Sequence, residues 1–365
     1  MVDKIHKTKE HSSDSNHDSE HSNKVRSNFL LDLYDKKYKE LMIISIFLLV
    51  FSVLAIGYQY ATTGDFVNRG VSLTGGLSVT LDYEEESLTS DDLQSYLSKT
   101  FPKADINVRT FGSSGSLKYY IEASGVEESE LLPALQAKLP ALTLEEFNDN
   151  KQTIGPTFGE SFFTQTLKAI FIAFVFMSAI IYLYFGESTK YKWLSAILSL
   201  TSALVMFYSN GIIGYLVAKA IFGFLIYLYV KDSIPSFGII LCAFSDLLFA
   251  LAIFNIWGHK LSIAGVAAFL MLVGYSIDTD ILLSVRVLKR REGSVFSRTI
   301  DAMKTGITMS FCALVAALVA YIFTHSVVIK EIMFILIAGL VGDIIFTWIQ
   351  NAGILRWHLE KKGWK

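Results

Sequence analysis

Residues 274–291 read GYSIDTDILLSVRVLKRR. The stretch ends an apolar run that begins at Leu261, and arginine and lysine close it. An apolar segment of spanning length with basic residues just beyond it reads as a transmembrane helix whose far end faces the cytoplasm. Asp278 and Asp280 lie inside that helix. A carboxylate at the centre of a bilayer costs roughly 2.5–3.5 kcal/mol on insertion scales. Intramembrane acids of this kind are rare, and they mark ion pathways and proton relays.

The rest of the chain has the same character. Of 365 residues, 52% are hydrophobic and only 18% are charged, with a mean hydropathy of +0.44. That balance excludes an ordinary soluble domain. Net charge is −2, and the distribution of charge tells more than its sum. Cys242 and Cys312 both sit in apolar runs, so no extracellular disulfide framework is expected. No Cys/His cluster has metal-ligand spacing, so no metal and no cofactor are expected. No Ser-His-Asp or Cys-His arrangement stands out, which argues against an enzyme. No nucleic-acid partner is expected.

Apolar runs and basic flanks divide the chain. Residues 1–38 read as a polar, disordered cytoplasmic tail, and 39–60 as the first span. Residues 61–160 carry no spanning run and read as an extracytoplasmic domain. Residues 161–186 form the second span. Residues 187–234 form a hairpin, because the run from Trp193 to Val230 would need about 57 Å as one helix, twice the hydrocarbon thickness. Lys219 is a misfit within it, expected to meet a polar neighbour or to snorkel. Residues 235–357 hold four more spans, and 358–365 a basic tail. The total is eight spans with both termini cytoplasmic, and the loop from Arg286 to Lys304 also inside.

Within 61–160 the pattern is β-α-β-β-α-β, the order of a ferredoxin-like unit. VSLTGGLSVTLDY reads as the first strand, with its glycine pair marking a bulge or close approach. TSDDLQSYLSKTF reads as a helix. DINVRTF and LKYYIEAS flank a Gly/Ser loop as a hairpin. EESELLPALQAKL is the second helix, with Pro133 able to kink it, and LTLEEFN the last strand.

Asp246 and Asp343 lie in the middle of two other spans. Measured from the cytoplasmic ends at 1.5 Å per residue, Asp246 is about 16 Å deep, Asp278 about 12 Å, Asp280 about 9 Å and Asp343 about 20 Å. Four acids at similar depth on three helices read as a proton or ion relay rather than as isolated helix contacts. Asp278 and Asp280 point about 200° apart, so one faces the chain's own bundle and the other a polar seam. Asp278 is expected to pair with Asp246 at the polar centre, with Asp280 and Asp343 tuning it. Thr305, Thr308, Ser245 and Ser276 are candidate hydrogen-bond partners. Arg286 is expected to snorkel.

Several motifs then carry a resemblance. GVSLTGG at 70–76, with Gly70, Thr74, Gly75 and Gly76, resembles the signature after the first span of SecF proteins. IGPTFGESF at 154–162 is similar to their motif before the second span. PSFGIILCAFSD at 235–246, the stretch from Gly274, Tyr275 and Ser276 to Gly293, KTGITMS at 304–310 and GDIIFTWIQNAGILRW at 342–357 resemble the archaeal branch. The resemblance implies a helix bundle of the resistance-nodulation-division type with one ferredoxin-like extracytoplasmic domain. It implies an auxiliary subunit of Sec protein export in the cytoplasmic membrane. Its partners would be a SecD-like subunit, the Sec channel, membrane lipids and, transiently, exported polypeptides. Coupling to the proton gradient is implied by analogy, since bacterial members carry Asn-Asp-Thr where this chain has Asp278-Thr279-Asp280. The family core has six spans, so the hairpin is an insertion, and two added spans leave every later loop on its original side. The alternative is a small-molecule or lipid transporter subunit of the same superfamily.

Overall fold

The computed structural model describes residues 34–83, 88–113, 116–209, 211–289, 293–324 and 326–363; the polar stretch 1–33 lies outside them. Among the described residues, eight helices are long and apolar enough to cross a membrane. The first is α1, Tyr38–Thr63. A helical turn, α2 (Val71–Thr74), leads into a small sheet domain: β1 Gly76–Tyr83, α3 Ser90–Thr100, β2 Asp105–Ser113, β3 Ser116–Ser124, α4 Glu128–Gln136, α5 Leu144–Asn150 and β4 Lys151–Ile154. The remaining spans are α6 Pro156–Phe185, α7 Thr189–Tyr208, α8 Ile212–Asp232, α9 Ile234–Ile256, α10 Ile263–Lys289, α11 Val295–Phe323 and α12 Val327–Ile345. The last runs on through a π-helical turn, Phe346–Asn351, into α13, Ala352–Lys361.

The four strands are antiparallel neighbours in the order β2-β3-β1-β4, which is the ferredoxin-like arrangement. Alternate residues of β1, Leu77, Val79 and Leu81, point into a core with Leu93 and Leu97 of α3 and Leu131 and Leu135 of α4. Two expectations for this domain are corrected. LTLEEFN is a helix rather than the last strand, because Thr143 caps it by accepting from Glu146 N at 3.1 Å and two glutamates sit in its first turn. The strand follows at Lys151. VSLT coils into α2, and β1 begins only at Gly76. That glycine has φ 140°, and a Cβ there would lie 2.5 Å from the Ala123 carbonyl oxygen, so the close approach is real and needs glycine. The second span also starts earlier than expected, with Pro156 in its first turn.

The central membrane helix is α9, 61% buried across its most apolar window, whereas α1 is 11% buried there and presents its sides outward. The hairpin α7–α8 packs at the edge of the bundle. Ser195 Oγ meets Tyr229 OH at 3.0 Å, and Ser202 Oγ donates to the Ala218 carbonyl at 3.0 Å. Lys219 lies exposed on the exterior of the bundle.

One end of the bundle carries the sheet domain. The other gathers the turns after α6 and α8 and both described ends of the chain. Arg356 pairs with Asp35 at 2.6 Å and Lys362 with Glu187 at 2.5 Å. Asp232 accepts from Tyr182 OH at 2.6 Å. Tyr34 OH donates to the Trp348 carbonyl at 2.5 Å, so the described start of the expected tail packs against the bundle. The sheet domain and the described chain ends therefore lie at opposite ends of the bundle. In a chain freed of its exposed native thiol by Cys312→Ser, cysteines at Lys103 and Gly211 should label with an impermeant reagent from one side, and a cysteine at Lys190 only from the other. Labelling of Gly211 from the Lys190 side would overturn the hairpin topology.

Candidate functional site

Asp246 of α9, Asp280 of α10 and Asp343 of α12 converge in the interior, each at most 1% exposed. Helix phase explains the meeting. Ser276, Thr279, Asp280, Leu283 and Ser284 are all buried and spaced at i, i+3, i+4, i+7 and i+8, one face of α10. Asp278 is 200° from Asp280 and lies exposed on the outside of the bundle. The expected Asp278–Asp246 pairing is thus corrected: Asp280 takes the inner place, and Asp278 faces outward beside Gly274 and Tyr275.

Each inner carboxylate has its own set of donors. Asp343 accepts from Thr279 Oγ1 at 2.7 Å, Thr347 Oγ1 at 2.9 Å and Ser310 Oγ at 3.1 Å. Asp280 Oδ1 accepts from Asn351 Nδ2 at 2.8 Å and faces Thr347 Oγ1 at 3.0 Å. Thr347 has one hydroxyl hydrogen, so it can serve Asp280 or Asp343 but not both at once. Asp246 Oδ2 accepts from Ser276 Oγ. Among the described residues, Asp246 Oδ1, Asp280 Oδ2, Gln350 Oε1 and Asn351 Oδ1 are buried without a hydrogen-bond partner that meets normal geometry. One carboxylate oxygen from each of Asp246 and Asp280 and the Cys242 Sγ lie within 4.8 Å of one another. Cys242 and Asp246 stand one helical turn apart on α9, while Asp280 comes from another helix 34 positions on.

The π-helical turn Phe346–Asn351 begins three residues after Asp343. Such turns accumulate at functional sites, where they re-aim side chains within a helix. Here Thr347, Gln350 and Asn351 are all buried. Thr347 and Asn351 bond the carboxylates, and Gln350 Nε2 donates to Ser245 Oγ at 3.2 Å. Sequence reasoning passed over these three. Their signal was present, as polar residues four, seven and eight positions beyond Asp343 in an apolar run.

The expected supports are also redistributed. Ser276 does reach Asp246. Thr305 instead receives Arg286 Nη1 at 2.9 Å, and Arg286 also donates to the Asp301 carbonyl at 2.8 Å. Arg286 therefore ties α10 to α11 and does not run free to the headgroups. Thr308 is exposed and bonds its own helix at the Lys304 carbonyl, 2.7 Å. Two positions on, Ser310 faces the opposite way and serves Asp343. Gly306 lies on the inward face with it, where a Cβ would come within 2.2 Å of the Trp348 ring.

At the other end of the same helices lies the joint with the sheet domain. Glu331, near the start of α12, accepts from Ser262 N at 2.7 Å, just before the start of α10. A carboxylate is favoured there by the unpaired amides and the helix dipole. Ile263 N donates to Ser72 Oγ at 3.3 Å. The Gly70–Gly76 motif forms the strap: Gly70 N donates to the Leu261 carbonyl at 2.8 Å, and Leu261 N to the Asn68 carbonyl at 2.7 Å. Lys260 Nζ pairs with Asp105 of β2 at 2.7 Å. Beneath it, burial pushes the Glu122 carboxyl above its ordinary range, opposed by the positive charges of Arg109 and Lys260. Helices α10 and α12 thus each run from this joint to the carboxylates.

Comparison with known proteins gives a consistent result. Residues 136–210 and 205–361 match the family model described as protein export membrane protein SecD/SecF, C-terminal. The chain is 31% identical over 337 residues to the protein-export membrane protein SecF of Methanothermobacter thermautotrophicus, across 91% of this chain and 96% of that one. It is 31% identical over 326 residues to the protein of the same name from Pyrococcus furiosus, across 89% of this chain and 92% of that one. Among solved structures it resembles SecDF, a translocon-associated membrane protein from a Thermus species, with a TM-score of 0.55, 16% identity and coverage of 90% of this chain and 41% of that one. At that identity the likeness speaks for the fold, and this chain spans about two-fifths of that longer protein.

Ser276 is the one donor to Asp246 among the described residues, so Ser276→Ala should destabilise the protein by about 1–3 kcal/mol, the cost of stranding a buried acceptor. Ser284 Oγ is buried without a partner, so Ser284→Ala should change stability far less. Thermal unfolding of the two purified variants checks the contrast, and equal midpoints would refute this account of the site.

Proposed function

The chain belongs to the SecF family of protein-export membrane proteins, and from that premise we propose that it is an auxiliary subunit of Sec protein export working with a SecD-like partner. The sheet domain faces outward and both termini face the cytoplasm, in keeping with the basic residues at the turn-bearing end. Ion exchange at Asp246, Asp280 and Asp343 drives movement of the sheet domain on exported polypeptide after it leaves the Sec channel. The observation that carries this reading is that two helices, α10 and α12, connect the buried acids to the joint holding that domain. The spans are about 27 Å from Ser262 to Asp280 and about 18 Å from Glu331 to Asp343. A change in which carboxylate Thr347 serves shifts these helices against α9, and the strap at Gly70–Leu261 passes the shift outward.

Asp278 has a different part. An acid on the outer face of a bundle in the middle of a membrane is costly against lipid. It belongs at a seam with the partner's helices, and Gly274 beside it has open space where a Cβ would stand, which lets a second helix approach closely. The relatives of nearly full length are protein-export proteins, which favours this reading over a small-molecule or lipid transporter subunit.

Two variants separate the roles. Asp280→Asn should co-purify with the SecD-like subunit as wild type does but cut reporter secretion by about tenfold or more, the equivalent of losing one strong buried interaction. Asp278→Leu should lose the partner during mild-detergent purification. Full secretion by Asp280→Asn would sink the ion-exchange reading, and intact assembly with Asp278→Leu would remove that residue from the interface.

A further inference from the structure

At the end of the bundle that carries both described chain ends, four helices leave a cleft between them. Met42 and Ile46 of α1, Val230 of α8, Phe237 of α9, and Ile354 and Trp357 of α13 border a groove of about 600 Å³. Its floor closes where Met42 packs on Gly353, at which a Cβ would lie 2.5 Å from the methionine side chain. From Lys39 at the mouth to Ile46 at the inner end, the groove follows α1 for about 10 Å. Ile46, Val230 and Trp357 are exposed along it, so its inside is apolar surface at the depth where acyl chains begin.

The mouth is basic. Lys39 lines it, Lys361 Nζ stands 4.7 Å from the ring centre of Trp357, and Lys231 follows Val230 at the end of α8. All three lysines are exposed, and none has a carboxylate within ion-pair reach among the described residues. The acids nearby are already committed: Glu40 to Lys37, Asp35 to Arg356, Glu360 to Arg356 and Tyr38 OH, and Asp232 to Tyr182 OH. Lysines at helix ends are ordinary in membrane proteins. Here three of them, from three different helices, surround one apolar cleft.

We propose that this groove binds one molecule of an anionic phospholipid, with its phosphate at Lys39, Lys231 and Lys361 and an acyl chain laid along α1 toward Ile46. Basic pockets between membrane helices recognise anionic head groups by charge. A zwitterionic lipid would bring its own cation to a mouth that already holds three. Under the orientation proposed above, this end lies in the cytoplasmic leaflet, where anionic lipid is found. The competing occupant is a helix of a partner subunit. An apolar helix would bury the lysines unpaired, at a high desolvation cost. The groove is bordered by α1, α8, α9 and α13 and by no residue of α10 or α11, so a partner seated at Asp278 leaves it to lipid. The site also gives the hairpin a task, since α8 supplies one wall and one lysine.

The test is native mass spectrometry of the full-length chain in mild detergent, with equal amounts of phosphatidylglycerol and phosphatidylcholine of the same chain length. One phosphatidylglycerol should stay bound and be preferred over phosphatidylcholine by about fivefold or more. Lys39→Gln/Lys361→Gln should weaken phosphatidylglycerol about tenfold or more. Lys190→Gln/Lys192→Gln, at the same end but off the groove, should change it by less than about twofold. Ile46→Trp, which fills the inner end and leaves the lysines in place, should weaken it too. Equal retention of the two lipids by the unsubstituted chain would overturn the site, and that comparison stands if a variant fails to fold. Equal loss in both lysine pairs would overturn it as well, as would full binding by Ile46→Trp. Glycerol phosphate should not compete, and competition would assign the lysines to a soluble phosphate instead. In the complex with the SecD-like subunit the lipid should remain, and its displacement there would give the groove to the partner. None of these readouts depends on secretion, so the lipid site and the export role stand or fall separately.

Discussion

Three carboxylates in one dry layer are the constraint to which the membrane half of this protein is fitted. Each is expensive there unless paired or hydrogen-bonded. The bundle responds with hydroxyls and an amide from three helical segments: Ser276 and Thr279 on α10, Ser310 on α11, and Thr347 and Asn351 on the π-helical turn. Small residues let those segments close. Gly306 admits the Trp348 ring, and Gly339 of α12 receives Leu272 of α10, whose side chain would stand 2.2 Å from a Cβ there. The supply of donors among the described residues is nevertheless short, with Thr347 shared between two acids and two carboxylate oxygens unserved. A centre balanced in this way has more than one arrangement of similar energy, which is the requirement for a switch.

The outer joint gives such a switch something to move. Beside the apolar packing of Leu73, Phe163 and Leu261, its contacts include backbone hydrogen bonds and a charge pair, and Glu331 holds the start of α10 from α12. Contacts of this kind are directional. They change registration sharply when two helices slide, whereas an apolar contact would yield gradually. Helices α10 and α12, which both reach the joint, supply Asp280 and Asp343.

Much of this was legible in the sequence, and the gaps have physical causes. Apolar runs of spanning length and basic flanks suffice to find eight membrane helices, because lipid demands both. Alternation located β1 to β3. The last strand was misplaced because LTLEEFN has an apolar rhythm, while its Thr143–Glu146 cap is a single local hydrogen bond. The two aspartates of α10 were recognised as opposed, yet the wrong one was placed inside. Phase decides this, and it could be read: Asp280 shares a face with Ser276, Thr279 and Ser284, whereas Asp278 shares one with Met271 and Tyr275. In a membrane bundle the polar face is the inner one. The part taken by Thr347 and Asn351 was harder to see, since the π turn changes the helical phase three residues after Asp343.

The central claim is that the state of the buried acids sets the position of the sheet domain through α10 and α12. Pulsed electron–electron double resonance tests it most directly, with one spin label at Lys103 in the sheet domain and one at Lys190 at the opposite end of the bundle, in the reconstituted complex with its SecD-like partner. The account predicts that Asp280→Asn moves or narrows the distance distribution relative to the unsubstituted complex, and that Asp278→Asn, outside the cluster, does not. Superimposable distributions for the Asp280→Asn and unsubstituted complexes would contradict it.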